Sequence, residues 1–291
     1  MKKGRPTVGH STASLFAGST GTDSMRPQVN LTLPVFNEEA QLAESIHTLV
    51  HGLLPLCAFT VEIVIVDNGS TDRTPEIAAE LEAKHPMVRS VRLLVKGRGA
   101  ALKHAWLSSR ARVLSYMDID LSTDLQSYPL LVQPLLGGQY DVAVGSRLLP
   151  GSATTRGWRR EFISQAYNLM LRGGFGVRFS DAQCGFKALT AEAVSRLVPR
   201  VENNNWFFDT ELLILAQQAG CRMLDLPVVW RDDPTSTVKI FKTAMEDLRG
   251  LWRLRGYRQG YWATGNGGRE MLESQRVAAA RRKEMRRATH A

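Results

Sequence analysis

Val61-Glu62-Ile63-Val64-Ile65-Val66 runs directly into Asp67-Asn68-Gly69-Ser70-Thr71-Asp72, and these twelve residues are the clearest indication of the fold class. A continuous, mostly β-branched run is typical of a strand that is covered on both faces, as in parallel sheets. The polar segment that follows is rich in turn-forming residues and would lie at the carboxyl end of the strand. Because parallel α/β sheets bind their ligands at that edge, the stretch predicts an α/β protein with a ligand site here.

The chain to about residue 150 repeats this alternation of strand and helix. Strands are predicted over Val29–Leu33, ending at Pro34, and over Val91–Val95, Val113–Met117 and Gln139–Val144, with helices over residues 38–52, from Thr74 and over Ala100–Arg110. Alternating units with buried strands predict a mostly parallel central sheet flanked by helices. Beyond residue 150, helices are predicted near residues 159–172, 191–198, 208–219 and 238–255, and a strand over Met223–Trp230.

Composition and charge exclude several classes of protein. With 291 residues, 44% of them hydrophobic and 22% charged, the chain is neither collagen-like nor wholly disordered. Its net charge of +9 belongs to the ends: residues 1–28 have four basic residues against one acidic, and residues 249–291 have eleven against three. A nucleic-acid-binding protein would more often carry this charge on its folded face, so we expect no nucleic-acid partner. The three cysteines are widely spaced, each beside apolar residues, and predict buried free thiols in a reducing compartment.

Polar residues follow three of the predicted strands. These segments are Pro34-Val35-Phe36-Asn37-Glu38-Glu39, Asp67-Asn68-Gly69-Ser70-Thr71-Asp72 and Asp118-Ile119-Asp120. In a parallel sheet all three face the same edge and can converge on one ligand. Two carboxylates separated by one residue can share a hard divalent cation that also bridges diphosphate oxygens.

These motifs, in order, carry a family resemblance. Leu33-Pro34-Val35-Phe36-Asn37-Glu38-Glu39, Val66–Asp72, Gly97-Arg98-Gly99-Ala100-Ala101-Leu102, Asp118–Asp120 and Val144-Gly145-Ser146-Arg147 resemble the family 2 glycosyltransferases of the GT-A fold. Phe179–Lys187 and Trp206–Leu213 resemble the branch of dolichyl-phosphate glucosyltransferases and dolichyl-phosphate mannose synthases. The resemblance covers about residues 29–255. Bacterial members with a similar ending are often joined to a small membrane domain; we expect none in this chain and consider a separate small membrane protein as a partner.

The resemblance implies roles for individual residues. Pro34, Asn37, Glu38, Asp67, Asp72, Arg98 and Arg147 match positions that bind the nucleotide-sugar donor; Asp118 and Asp120 match the pair that binds Mg or Mn; and Gln183, Gly185, Phe186 and Trp206 match positions around the sugar and acceptor. Asp209 joins Asp118 and Asp120 as a candidate catalytic residue. Two positions depart from the family pattern. Arg98 replaces the usual Lys, and Ser122 stands where mannose-phosphate enzymes often have a metal-ligating Gln.

The function implied is metal-dependent, inverting transfer of a hexose, with UDP-glucose favoured as donor, to a polyprenyl or dolichyl phosphate. Because the acceptor phosphate is already ionised at neutral pH, no general base is required. A second hypothesis is transfer to a hydroxyl of a glycan or small molecule, which needs a base such as Asp209 or Glu211. A third is a degenerate transferase fold that binds anionic membrane or nucleic acid through its Arg-rich tail. The intact Asp118-Ile119-Asp120 argues against degeneracy.

These inferences give a domain plan and a location. Residues 1–28 are predicted as a disordered tail, 29–237 as the GT-A glycosyltransferase domain, 238–258 as an amphipathic helix and 259–291 as a basic tail. The apolar stripe of the helix includes Ile240, Phe241, Ala244, Met245, Leu248, Leu251 and Trp252. It packs on the domain or lies at a membrane surface, and the sequence leaves both open. We expect a cytoplasmic protein, peripheral on the cytoplasmic face of the membrane.

Overall fold

The computed structural model describes residues 26–155, 158–231 and 240–257. Its strands are β1 (Val29–Val35), β2 (Val61–Asp67), β3 (Val88–Arg92), β4 (Val113–Met117), β5 (Val142–Ser146), β6 (Ala153–Thr155), β7 (Phe186–Thr190), β8 (Met223–Pro227) and β9 (Val229–Arg231). Its α-helices are α1 (Leu42–Thr48), α2 (Thr74–Lys84), α3 (Arg98–Ser108), α4 (Ser127–Leu136), α5 (Trp158–Phe175), α6 (Ala191–Leu197), α7 (Phe208–Gln218) and α8 (Ile240–Tyr257). A π-helical turn (Leu49–Leu53) and a 3-10 turn (Leu54–Leu56) prolong α1.

Seven strands form one mixed sheet in the order β3-β2-β1-β4-β7-β5-β8. All neighbours in it are parallel except β7, which runs antiparallel to both β4 and β5. Strands β6 and β9 form a separate parallel pair. Helices cover both faces of the sheet, and the buried side chains form two apolar clusters, one per face. The predicted fold class, a mostly parallel central sheet flanked by helices, is confirmed.

The inner strands are buried because both of their faces meet helices. All five residues of β4 and of β5 are buried, and so are six of the seven residues of β2. The carboxyl ends of β1, β2 and β4 lie side by side in the sheet. The three polar segments predicted after these strands therefore share one edge.

Strand β1 continues through Pro34, where the sequence predicted it to end. The Val35 carbonyl accepts a hydrogen bond from Asn68 N, so Val35 faces β2 and Pro34, one residue earlier, faces β4. Pairing of β1 with β4 has already ended at Thr32. The missing N–H of Pro34 therefore breaks no ladder hydrogen bond.

Other elements also differ from the prediction. Strand β3 lies three residues earlier, and Leu94 and Val95 are exposed beyond it. The predicted strand Met223–Trp230 is divided at Val228, so that β8 pairs with β5 and β9 pairs with β6. Helix α4 and strand β7 were not predicted. All three described cysteines are free, but only Cys184 is fully buried.

Helix α8 lies within the predicted span 238–258 and packs on the domain through part of its surface. Leu251 and Leu254 are buried, whereas Trp252 is 81% exposed. The predicted tails lie outside the described residues, apart from residues 26–28. In the part of the chain that the structure describes, no helix combines the length and apolar character needed to cross a bilayer.

Candidate active site

Two loops after β1 and β2 are joined by hydrogen bonds into one wall. Asn37, in a left-handed conformation with φ of 56°, donates its backbone N–H to Ser70 Oγ at 2.8 Å. Its side-chain Oδ1 accepts from Thr71 N at 2.9 Å, and Glu38 N donates to Thr74 Oγ1 at 2.8 Å. An asparagine tolerates this backbone conformation better than most residues. The predicted donor residues Asn37 and Glu38 thus hold the wall together.

Asp72 belongs to the same set of hydrogen bonds. Its carboxylate accepts from Glu39 N at 3.2 Å and from Thr74 N at 3.0 Å, at the start of α2. Glu39 in turn accepts from Arg73 N at 3.0 Å. Both oxygens of Asp72 therefore bond to the protein backbone, and the structure gives Asp72 a role in shaping the loop.

Asp67, at the end of β2, has one oxygen without a hydrogen bond. The residue is 2% exposed, and its Oδ1 accepts from Ser70 N at 2.9 Å. Its Oδ2 lies 3.4 Å from Arg92 Nε, and neither this oxygen nor Asn68 Oδ1 accepts a hydrogen bond from the described residues. Buried acceptors normally have a donor, so this pair fits a ligand that supplies N–H groups.

Asp118 and Asp120 follow β4 directly. Asp118 Oδ1 lies 2.7 Å from Arg98 Nη2, and 42% of the Asp118 side chain is exposed. Asp120 Oδ1 accepts from Ser122 N at 3.0 Å, in a turn that places Leu121 at a φ of 49°. The described residues contain no group of three His, Cys, Asp or Glu side chains that could hold a metal alone. Two carboxylates fit Mg²⁺ or Mn²⁺ when diphosphate oxygens and water complete the ligand set.

Arg98 is the central cation of the site. Its guanidinium lies 4.9 Å from the ring centroid of Tyr116 and 5.1 Å from that of Trp206, and its Nε is 4.0 Å from Asp209 Oδ2. Burial acts to lower the pKa of Arg98, but Asp118 and the other nearby acidic groups outweigh it and raise the pKa. A fixed, permanent positive charge therefore lies beside the Asp118 carboxylate.

Asp209, at the start of α7, is 4% exposed, and its close contacts are made through one oxygen. Its Oδ1 accepts from the Tyr116 hydroxyl and lies 3.1 Å from Lys187 Nζ. Lys187 is itself fully buried in β7 and donates to the Cys184 carbonyl. Burial, with the Asp209 charge, raises the pKa of Tyr116 well above its usual value. Tyr116 and Lys187 were not among the predicted site residues, although a lysine within a largely apolar stretch was a signal for the second of them.

The second candidate base, Glu211, is also engaged. It is 1% exposed and accepts from Glu202 N at 3.2 Å and Asn203 N at 2.9 Å. Arg253 Nη2 of α8 lies 2.7 Å from its Oε2. Both acids that the sequence offered as general bases are therefore buried and paired, Glu211 through both oxygens and Asp209 through Oδ1.

Arg147 forms a two-pronged ion pair with Asp181. Its Nε and Nη2 donate to the two Asp181 oxygens at 2.7 Å and 3.0 Å. Burial alone would raise the pKa of Asp181, but Arg147 outweighs it and the pKa is lowered. Asp181 Oδ1 also accepts from Gln183 N at 3.1 Å. Arg147 therefore fixes the loop that carries the predicted acceptor residues.

The predicted acceptor residues occupy different environments. Gln183 is half-buried and donates from its amide to Asp247 Oδ2 at 3.2 Å. The backbone of Gly185 lies against Asp118 and Arg98, and Trp206 is 44% exposed beside Arg98. Phe186 is fully buried against the Tyr128 ring, so the structure corrects its placement from cleft to core.

Comparisons with known proteins identify the family of this chain. The model of the family "Glycosyl transferase family 2" matches residues 31–198. Glycosyltransferase AglD of Haloferax volcanii is 36% identical over 259 residues, which are 86% of this chain and 40% of that protein. This chain therefore spans well under half of AglD. Dolichyl-phosphate beta-glucosyltransferase ALG5C of Trichomonas vaginalis is 30% identical over 246 residues, covering 77% of this chain and 72% of that protein.

Solved structures show the same fold. Glucosyl-3-phosphoglycerate synthase of Mycobacterium tuberculosis in complex with uridine diphosphate matches with a TM-score of 0.62 at 20% identity, covering 79% of this chain and 80% of that one. The same enzyme with Mn²⁺, uridine diphosphate and glucosyl-3-phosphoglycerate matches with a TM-score of 0.60 at 19% identity. With its ordered motifs, its sheet and its matched family model, the chain belongs to glycosyl transferase family 2 and is a glycosyltransferase of the GT-A fold.

Proposed function

We propose that the protein transfers a hexose from a nucleoside-diphosphate sugar to a polyprenyl phosphate, with glucose as the favoured sugar. The observation that carries the choice of acceptor is the state of Asp209 and Glu211, whose carboxylates are buried and already paired. A hydroxyl acceptor must lose a proton to a base, whereas a phosphate oxygen is already ionised. Relatives named dolichyl-phosphate beta-glucosyltransferase, such as the mouse protein at 28% identity over 270 residues, support the same acceptor.

The donor is assigned to the wall after β1 and β2. The Oδ2 of Asp67 and the Oδ1 of Asn68 are buried acceptors that can receive N–H groups of the nucleotide base. Uracil and guanine both present N–H groups, so these acceptors fit either base, and UDP-glucose is the donor that the family resemblance favours. Arg98 lies beside Asp118, where its charge would stabilise a diphosphate.

Asp118 and Asp120 would hold the divalent cation, Mg²⁺ or Mn²⁺. When bound, that ion supplies positive charge to the leaving diphosphate. The reaction itself is an in-line exchange: an acceptor phosphate oxygen forms a bond to the anomeric carbon while the bond from that carbon to the diphosphate oxygen breaks, its electrons leaving with the nucleoside diphosphate. The chain's own contribution is to hold Arg98 beside Asp118 as a permanent positive charge. Attack from the opposite face inverts the anomeric carbon.

The test is a panel of UDP- and GDP-sugars with a short, water-soluble polyprenyl phosphate, with Mg²⁺, Mn²⁺ or chelator. We expect turnover with UDP-glucose that depends on the metal and yields a phosphodiester-linked lipid sugar. Turnover confined to hydroxyl acceptors would refute the acceptor assignment and would require a base outside the pair Asp209 and Glu211. Salt-sensitive binding of anionic polymers without any sugar transfer would instead support a degenerate fold.

A further inference from the structure

Helix α5 has an outer face of exposed apolar side chains. Phe162 is 69% exposed, Leu169 70%, Ile163 44% and Met170 40%. Phe162, Leu169 and Met170 recur at helical spacing with the exposed Ala166, so they line one side of the helix. Single exposed apolar residues are ordinary, but a stripe on one face marks a binding surface.

The inner face of α5 is tied to the candidate active site. Asn168 Oδ1 accepts from Ala182 N at 3.1 Å, in the loop that carries Gln183. The Tyr167 hydroxyl lies 2.9 Å from Thr210 Oγ1, one residue after Asp209. The outer stripe is thus separated from the acceptor side of the site by about one helix diameter, roughly 10 Å.

Charge around the stripe favours an anionic partner. From Phe162 to Arg178 the sequence has no Asp or Glu, and Arg172 and Arg178 are both exposed. Tyr167 also hydrogen-bonds to Asp247 of the neighbouring helix α8. That helix exposes Trp252, Arg249 and Arg255. Apolar side chains and a tryptophan among cations are typical of a surface that lies on an anionic bilayer. A second copy of the chain would oppose like charges across the same face.

We propose that the outer face of α5, together with Trp252 of α8, docks the protein on an anionic lipid bilayer. This proposal rests on the lipid acceptor proposed above, because a polyprenyl phosphate keeps its chain in the bilayer and its phosphate at the surface. Docked through this face, the protein brings the loop of Gln183 to the depth of that phosphate. The apolar stripe supplies insertion, and the arginines supply attraction to the lipid headgroups.

The experiment is flotation of the full chain with vesicles of phosphatidylcholine alone or mixed equally with phosphatidylglycerol. The test variant is Phe162→Gln/Leu169→Gln. The matched control is Leu107→Gln/Leu130→Gln, which removes two exposed leucines from α3 and α4. We expect binding to the mixed vesicles, a partition coefficient lowered about tenfold or more in the test variant, and wild-type binding in the control. Arg172→Gln should weaken binding to the mixed vesicles only.

Turnover with a water-soluble acceptor tests the proposed sugar transfer without membrane docking, so the two proposals can fail independently. The test variant should keep wild-type turnover with the short polyprenyl phosphate and lose it with a long-chain acceptor in vesicles. Equal vesicle binding by test and control variants, or no binding by the wild type, would overturn the docking face while leaving the function intact. A concentration-dependent dimer that Phe162→Gln/Leu169→Gln abolishes would assign the face to a second copy. Vesicle binding without any polyprenyl phosphate turnover would refute the function alone.

Discussion

Gly185 approaches Asp118 so closely that a Cβ at this position would lie 1.9 Å from Asp118 Oδ2. The same atom would lie 2.8 Å from Arg98 Nη2. The approach follows from the sheet, because β7 begins one residue later and runs antiparallel beside β4, whose end carries Asp118. Glycine at this position lets the acceptor loop meet the carboxylate and its cation.

Gly185→Ala should therefore displace Asp118 and reduce kcat at least about a hundredfold, because displacements near 1 Å can cost that much. Circular dichroism should remain that of the wild type. The control is Gly52→Ala, where the nearest atom to a new Cβ lies 3.9 Å away. Wild-type turnover of Gly185→Ala would show that Asp118 can move without consequence for the reaction.

Asp120→Asn keeps the size of the side chain and its hydrogen bond from Ser122 N, but removes the charge. We expect turnover to fall about a hundredfold or more and the Mn²⁺ concentration needed for half-maximal rate to rise. Electron paramagnetic resonance of Mn²⁺ in the presence of UDP measures the binding separately. Asp124→Asn, an exposed carboxylate four residues later, should behave as the wild type. Equal Mn²⁺ binding by both variants would remove Asp120 from the metal site.

Asp209→Asn should have a larger effect on the free energy of unfolding than on the rate of sugar transfer. The substitution leaves the fully buried Lys187 ammonium without its carboxylate, which costs about 3 to 5 kcal/mol in the free energy of unfolding. The double variant Asp209→Asn/Lys187→Met removes both charges and should recover at least half of that loss. Urea unfolding measures both. A double variant less stable than the single one would contradict the pairing.

The same Asp209→Asn variant should lose less than about a hundredfold in turnover with a polyprenyl phosphate, once folded protein is counted. A larger loss of turnover in the variant, together with a wild-type rate that falls as pH is lowered, would identify Asp209 as a general base.

Asp247 should make stability depend on pH. Burial, followed by the charge of Glu246, raises the pKa of its carboxyl from 3.8 to about 7. Between those values the unfolded chain has released this proton and the folded chain keeps it. The contribution of Asp247 to stability therefore falls as pH rises from about 4 to 7 and is constant above that. Asp247→Asn, which cannot titrate, should gain about 1 to 2 kcal/mol relative to the wild type over this interval. A stability difference independent of pH, measured by urea unfolding, would contradict this assignment.

The elements whose sequence pattern reflects burial on both faces were predicted correctly. Val61–Asp67 and Val113–Met117 are strands flanked by helices on both faces, and their apolar runs locate them almost to the residue. Strand β3 lies at the sheet edge and contains Arg89 and Arg92, so its apolar pattern is weak. The strand was predicted too far along the chain because Leu94 and Val95, which are exposed, are apolar. Helix α4 was missed because Pro129 and Pro134 lie within its sequence, and prolines are usually read as helix breakers.

The sequence motifs predicted which loops form the candidate site, but not the contacts that distant parts of the chain make within it. The segments after β1, β2 and β4 do share one edge, as the parallel sheet requires. Which carboxylate is free was not predictable, because the partners of Asp209 come from β4 and β7, 93 and 22 positions away along the chain. Strand β7 reverses direction between β4 and β5, and no short-range pattern indicates that insertion.

The hydrogen bonds between Asn37, Glu38, Ser70, Thr71 and Thr74 bear on the order in which substrates add. They fix the nucleotide wall before any ligand arrives, so the donor meets a surface that needs no ordering and pays little entropy on binding. The acceptor side is built differently, from the loop of Gln183 and the segment of Trp206, which take their positions from α5, α8 and Arg98. The nucleotide wall is fixed by its own hydrogen bonds, whereas the acceptor side depends on α5, α8 and Arg98 at the start of α3. This difference favours sequential addition in which the nucleotide sugar binds first. Product-inhibition patterns would then show UDP competing with the donor alone.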